Sequence, residues 1–150
     1  MLALMTIAGT YYLFQAKVSV EPDAPILKNS AINIPFKITN NSVLPIYPLK
    51  SECRILSMGG LDPFNWEMDH MDVLVTKSIP KLRSGETTSI DTYTRFVGGN
   101  RLAITHGDIV FTVRFSPSIF WWRQLEEQNR FEARVSEDGE TKWYHKSLSE

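Results

Sequence analysis

In the stretch GDIVFTVRFSP, residues 107–117, the side chains Ile109, Phe111, Val113 and Phe115 alternate with Val110, Thr112 and Arg114. A two-residue period puts one set on a buried face and the other on its reverse. A helix, repeating every 3.6 residues, would scatter them around its axis. The same period recurs along much of the chain. In KVSVEP, Val18 and Val20 alternate with polar neighbours until Pro22 and Pro25 stop the run. In AINIPFKITNNS, Ile32, Ile34, Phe36 and Ile38 share a face, and Asn40-Asn41-Ser42 supply turn formers. Pro35 falls on the other face and has no N–H to donate, which predicts a sheet edge or a bulge there.

Further strands follow. LPIYPLKSECRIL offers Ile46, Cys53 and Ile55 to a core, with Pro45 and Pro48 marking an irregular start. MDVLVTKSI reads as a strand through Val73 and Val75. A turn at Arg83-Ser84-Gly85-Glu86 leads into alternation at Thr88, Ile90, Thr92 and Thr94, which Gly98-Gly99-Asn100 closes. RFEARVSEDGETKWYHK reads as a hairpin with Phe131, Ala133 and Val135 inward, Asp138-Gly139 at the turn and Trp143 on the return strand.

Three stretches break the pattern. SMGGLDPFNWEMDHM, with Gly59-Gly60 and Asp62-Pro63, reads as a long connection, and His106-Gly107-Asp108 as a turn ahead of the strand at 109–115. WWRQLEEQNR leaves room for two turns of helix, with Trp122 and Leu125 on one side. Seven or eight short strands at roughly 8–12-residue spacing predict an all-β, two-sheet sandwich. At 150 residues, 43% hydrophobic and 22% charged, the chain can build one proper core, and we expect a single sandwich domain over 17–150.

Residues 1–16 are different, because none carries a charge. A signal peptide would need a positive start and small residues before its cleavage site, yet the first Lys is Lys17 and Phe14 stands where a small residue belongs. A buried strand would be richer in β-branched residues than this run of Leu, Ala, Met and Gly. A membrane helix fits better. Sixteen residues rise roughly 24 Å against ~30 Å of hydrocarbon, a shortfall that a longer natural start would remove. Leu2, Leu4, Ile7 and Leu13 would lie in the apolar zone, Tyr11, Tyr12 and Phe14 at the interface, and Lys17 among headgroups. We expect a membrane anchor, whole or truncated, in 1–16, with a soluble strand or helix as the alternative.

The net charge of −1 leaves no basic footprint for nucleic acid. Cys53 is the sole cysteine, so neither an intramolecular disulfide nor a four-cysteine zinc site can form, and within an alternating strand it reads as a small buried hydrophobe. There is no nucleophile elbow, phosphate-binding loop or dinucleotide fingerprint. His70, His106 and His145 are scattered, and no cofactor or resident metal is expected. Asp69, His70 and Asp72 are the place where a metal-dependent hydrolase would have its ions. Asn40-Asn41-Ser42 matches the N-glycosylation sequon, although a strand-end turn accounts for those residues as well. One stretch exceeds what a minimal sandwich needs. Ile119, Phe120, Trp121 and Trp122 stand in a row, so a strand could not bury them all on one face. They either cap a corner of the core or, with Arg123, form a contact patch for a protein or a lipid headgroup zone, which Phe64 and Trp66 could join.

The segments PFKITNNS (35–42), IPKLRSGETTSI (79–90) and GDIVFTVRFSP (107–117) resemble bacterial immunoglobulin-like sandwich modules of the cell-adhesion-related and fibronectin-type-III-like kind. The likeness lies in an inward-alternating strand ending in Asn, a Leu-x-x-Gly-Glu turn (Leu82 to Glu86) into a Thr/Ser-rich strand, and a later strand of alternating aromatics and valines. The order of hydrophobic stub, KVSVEP and LPIYPLKSECRI is also similar to small bacterial proteins with one membrane anchor and one such domain. The resemblance implies an immunoglobulin-like sandwich without the paired cysteines of antibody domains, and a non-enzymatic interaction module with no catalytic residues. The expected setting is a bacterial membrane, single-pass, with the domain on the extracytoplasmic side and an envelope protein as partner through Phe120–Arg123. The alternatives are a structural subunit of an envelope assembly and a metal-dependent hydrolase.

Overall fold

The structure, a computed structural model, describes residues 16–23, 35–62, 65–73, 78–91 and 103–148. They form eight strands: β1 (Val18–Pro22), β2 (Pro35–Asn40), β3 (Ile46–Asp62), β4 (Trp66–Val73), β5 (Thr87–Asp91), β6 (Ala103–Pro117), β7 (Leu125–Val135) and β8 (Thr141–Lys146). Two antiparallel sheets result, a three-stranded one ordered β1-β2-β5 and a five-stranded one ordered β4-β3-β6-β7-β8. The all-β, two-sheet expectation is met. Among the described residues there is no helix, and none long and apolar enough to cross a membrane. The proposed anchor residues Leu2, Leu4, Ile7, Tyr11, Tyr12, Leu13 and Phe14 lie outside the described residues, as do Ile32, Ile34, Val75, Thr92, Thr94 and Gly98-Gly99-Asn100.

The alternating side chains meet between the sheets. Val18, Val20, Phe36, Ile38 and Ile90 of the smaller sheet face Ile46, Cys53, Ile55, Ile109, Phe111, Val113, Phe115, Phe131 and Ala133 of the larger. Phe36 ties the layers together, stacking on Phe111 at 4.7 Å between centroids and lying 5.0 Å from Phe131. Such pairs add about 0.5–1.5 kcal/mol beyond the area they bury.

Several local expectations give way to long-range pairing. The stretch SMGGLDPFNWEMDHM is mostly strand, because Ser57–Gly60 pairs on one side with Trp66–Asp69 of β4 and on the other with β6. The glycines sit at register shifts of the β3–β6 ladder, at Gly59/Gly60 and Gly60/Asp62, where an irregular strand tolerates a missing side chain. His106-Gly107-Asp108 is not a turn but the middle of β6, paired with Arg134, Ala133 and Glu132. Gly107 is there because Trp143 packs over it: a Cβ would lie 3.2 Å from the indole Cη2. The stretch 121–130 forms no helix. Ten residues of β7 pair with β6 from Leu125 on, and this ladder overrides the helix preference of Leu, Glu and Gln. Val135 is 50% exposed rather than inward, being the last residue before the β7–β8 turn, where Gly139 takes φ of 79°. Pro35 begins β2, which is the central strand of its sheet and not an edge; its carbonyl accepts the N–H of Asp23 at 2.8 Å.

Candidate functional site

One end of the sandwich gathers three turns. At its centre is Asn40, fully buried at the end of β2. Its Nδ2 donates to the carbonyls of Leu44 (2.9 Å), Leu82 (3.1 Å) and Arg83 (3.1 Å), while its Oδ1 accepts the N–H of Ser42 at 3.0 Å and the Ser42 hydroxyl. A side chain so enclosed cannot accept a glycan in the folded protein. The Ser84 hydroxyl donates to the Ser42 carbonyl at 2.7 Å, and the Gly85 N–H to the Asn40 carbonyl at 2.8 Å, with Gly85 at φ of 71°. The turn 41–45 and the turn 83–86 are thus clamped together. Leu82 and Ile46 exchange backbone bonds at 3.0 and 3.1 Å, holding the segment before the second turn against the start of β3.

The third turn is the β6–β7 connection. The N–H of Ser118 donates to the Pro45 carbonyl at 3.1 Å, which seats this connection on the 41–45 turn. Two successive tight turns follow, closed by Phe120 N–H to Pro117 carbonyl (3.1 Å) and Arg123 N–H to Phe120 carbonyl (2.8 Å). A chain reversing this tightly cannot send four consecutive side chains into the core. Ile119 and Phe120 are exposed, Trp121 is 74% and Trp122 66% exposed. The rings do not cap the core. They pack on one another, Trp122 edge-on to Phe120 at 5.6 Å and to Trp121 at 5.9 Å. Val43, 59% exposed, lies on the neighbouring turn. Lys17, Lys81, Arg83 and Arg123 are exposed on the same turns and strand ends, Lys81 reaching over the Tyr47 ring at 5.4 Å.

Of the residues expected to form a contact patch, Phe120, Trp121, Trp122 and Arg123 stand together. Trp66 does not join them. Its backbone pairs with Gly60 toward one end of β3, whereas the aromatic turn follows Pro117, paired with Ile46 at the other. Phe64 lies outside the described residues. Val43 and the cations on these turns share this end of the sandwich through strand order; nothing local in the sequence places them there.

Asp69 and His70 are both exposed on β4, where His70 adopts φ of 51° opposite the irregularity in β3. Among the described residues no group of three His, Cys, Asp or Glu could hold a metal ion. The outer face of the larger sheet carries crossed ion pairs instead. Arg130 grips Asp108 with two bonds of 2.8 and 2.7 Å, and Lys146 adds a third at 3.3 Å. Burial alone would raise the Asp108 carboxyl, but these bonds and the two positive charges outweigh it and hold the group below the usual carboxylate range. Arg114 bridges Glu52 (2.7 Å) and Glu126 (2.8 Å) beside an open hollow of about 170 Å³ lined by Arg54, Leu56, Val110, Thr112 and Gln128. Two carboxylates engage Arg114, and one of them, Glu52, lines the hollow with the Thr112 hydroxyl. Cys53 is buried, which pushes its thiol up to about 12 and removes the thiolate a nucleophile needs. His145 is exposed on β8, edge-on to Phe131 at 5.4 Å and 3.3 Å from the Asn129 Oδ1.

Compared with models of protein families and with curated proteins, the chain matches none.

Proposed function

We propose that this chain is a non-enzymatic interaction module of immunoglobulin-like type, tethered to a bacterial membrane by residues 1–16, which works by pressing its aromatic turn against a partner surface. The antiparallel two-sheet sandwich supports the immunoglobulin-like reading, and the uncharged opening of the chain supports the tether. One observation carries the binding role: four successive large apolar side chains, Ile119 to Trp122, project from a turn that is itself firmly held. Burying a fully exposed large apolar side chain is worth ~1.5–3 kcal/mol, of which these partly covered groups would gain a share, and clustered exposed apolar groups of this kind mark contact sites in folded proteins. Trp and Arg, as in Trp122-Arg123, are the side chains that dominate such contacts.

A photo-crosslinking amino acid in place of Trp121 tests this in living cells. Adducts at this position, to protein or to lipid, with none from the same group in place of exposed Glu137, are expected. Equal yields at both positions, or none at either, would refute the role of the turn. The tether has its own test, retention in the membrane pellet after alkaline carbonate extraction.

A further inference from the structure

The chain passes from the uncharged segment into β1 at the same end of the sandwich as the aromatic turn. The carbonyl of Lys17 accepts the N–H of Asn41 at 2.9 Å, Asn41 opens the 41–45 turn, and Pro45 in that turn binds Ser118. Three short links therefore join the start of the domain to the aromatic cluster. The cluster is exposed, its rings packed on each other, and Val43 is exposed on the adjoining turn. Four cations, Lys17, Lys81, Arg83 and Arg123, are exposed at this end, beside three carboxylates: Glu86, which accepts the N–H of Arg83 at 2.7 Å, Glu126, which is paired with Arg114, and Glu127. Indole rings favour the boundary between headgroups and acyl chains, and Arg and Lys carry their charge back to the phosphates while their stems lie along apolar surface.

We propose that this end of the sandwich is membrane-proximal and that the tip is covered by the bilayer itself. Ile119, Phe120, Trp121 and Trp122 enter the headgroup zone of an anionic leaflet, with Lys17, Lys81, Arg83 and Arg123 on its phosphates. The inference rests on the tether proposed above and adds what the tip contacts and how the domain is oriented. Two attachments at one end would hold the sandwich upright on the membrane, with the β7–β8 turn pointing away.

The test uses the full chain in vesicles of phosphatidylcholine with and without phosphatidylglycerol, some with bromine on the acyl chains near the headgroups. Tryptophan emission reports directly, since residues 1–16 contain no Trp. We expect bromine-dependent quenching in the wild type, deeper with the anionic lipid, and loss of most of it in the Trp121→Phe/Trp122→Phe double variant, which keeps the tip apolar. Arg83→Glu/Arg123→Glu should abolish the dependence on anionic lipid. Vesicles that float the protein without quenching its tryptophans, or with quenching untouched by the double variant, overturn the inference while the tether stands; with protein adducts at position 121, the occupant is then a protein. Failure to float with the vesicles overturns tether and inference together.

Discussion

Asn40 donates its side-chain amide to the carbonyl of Leu82 at 3.1 Å, linking the end of β2 to a segment 42 residues further along the chain. Two more carbonyls, the Ser42 N–H and the Ser42 hydroxyl complete the set, so a single buried amide organises the turns beneath the aromatic tip. Asn40→Ala should destabilise the fold by about 2–3 kcal/mol, because several polar backbone groups lose a partner away from water. Asn40→Asp should cost at least as much, since it turns an oxygen toward three carbonyls. Denaturant midpoints measure both, and a change under about 0.5 kcal/mol for either would show that the knot is not organised by this side chain.

Acid should weaken the protein partly through Asp108. Its carboxyl is held below the usual range in the folded state by Arg130 and Lys146, against the opposing effect of burial. A group with a depressed folded pKa contributes stability that is complete above its unfolded value, about 3.9, and is lost as pH falls through the folded value. The wild type should therefore lose stability steadily below about pH 4, and Asp108→Asn should flatten that loss. Glu126, Glu132 and Asp138 are also depressed, each chiefly by a hydrogen bond from Arg114, Arg134 or Lys142, so some acid sensitivity persists in the variant. Parallel acid curves for the two proteins would deny Asp108 this role.

Gly107 is where β6 makes room for Trp143. An added Cβ would meet the indole Cη2 at 3.2 Å and the Ala133 Cβ at 3.5 Å, leaving no space for a larger side chain. Gly107→Val should cost about 1–3 kcal/mol through overpacking and should change the near-ultraviolet circular dichroism of Trp143. An unchanged spectrum with unchanged stability would mean that β8 does not pack over this position.

How much of this was legible beforehand depends on the range of the interaction involved. Val18 and Val20, Phe36 and Ile38, and Ile109, Phe111, Val113 and Phe115 are buried as their alternation predicts, because each strand's own period decides which face is apolar. The turns at Arg83–Glu86 and Asp138-Gly139 were legible too, since positive φ at Gly85 and Gly139 is a local demand. Gly59-Gly60, His106-Gly107-Asp108 and Leu125–Arg130 depart from what their sequence predicts for one reason. Their local signals favour turn or helix, and only partners far along the chain make them strand. The aromatic row was visible as an excess, but that it would be exposed and would share an end with Lys17 and Val43 follows from strand order and register. Trp66 shows the converse: composition made it a candidate for the patch, and the β3–β4 register carries it to the other end of β3.

The interior can be tested through Cys53. Its thiol lies in β3 opposite Phe111, buried, with its ionisation pushed up to about 12. Burial keeps the thiol un-ionised and out of reach at pH 8, so labelling by iodoacetamide should wait for unfolding. The labelling rate then becomes a gauge of the core. Phe111→Ala removes the ring that stacks on Phe36 and should cost about 3–5 kcal/mol, with labelling accelerated in proportion to the added unfolded population. Trp121→Ala/Trp122→Ala, confined to the exposed tip, should leave the rate within about twofold of wild type. Fast labelling of the native wild type would place Cys53 within reach of solvent, and equal rates for the core and tip variants would contradict the division between a packed interior and a surface cluster held ready for contact.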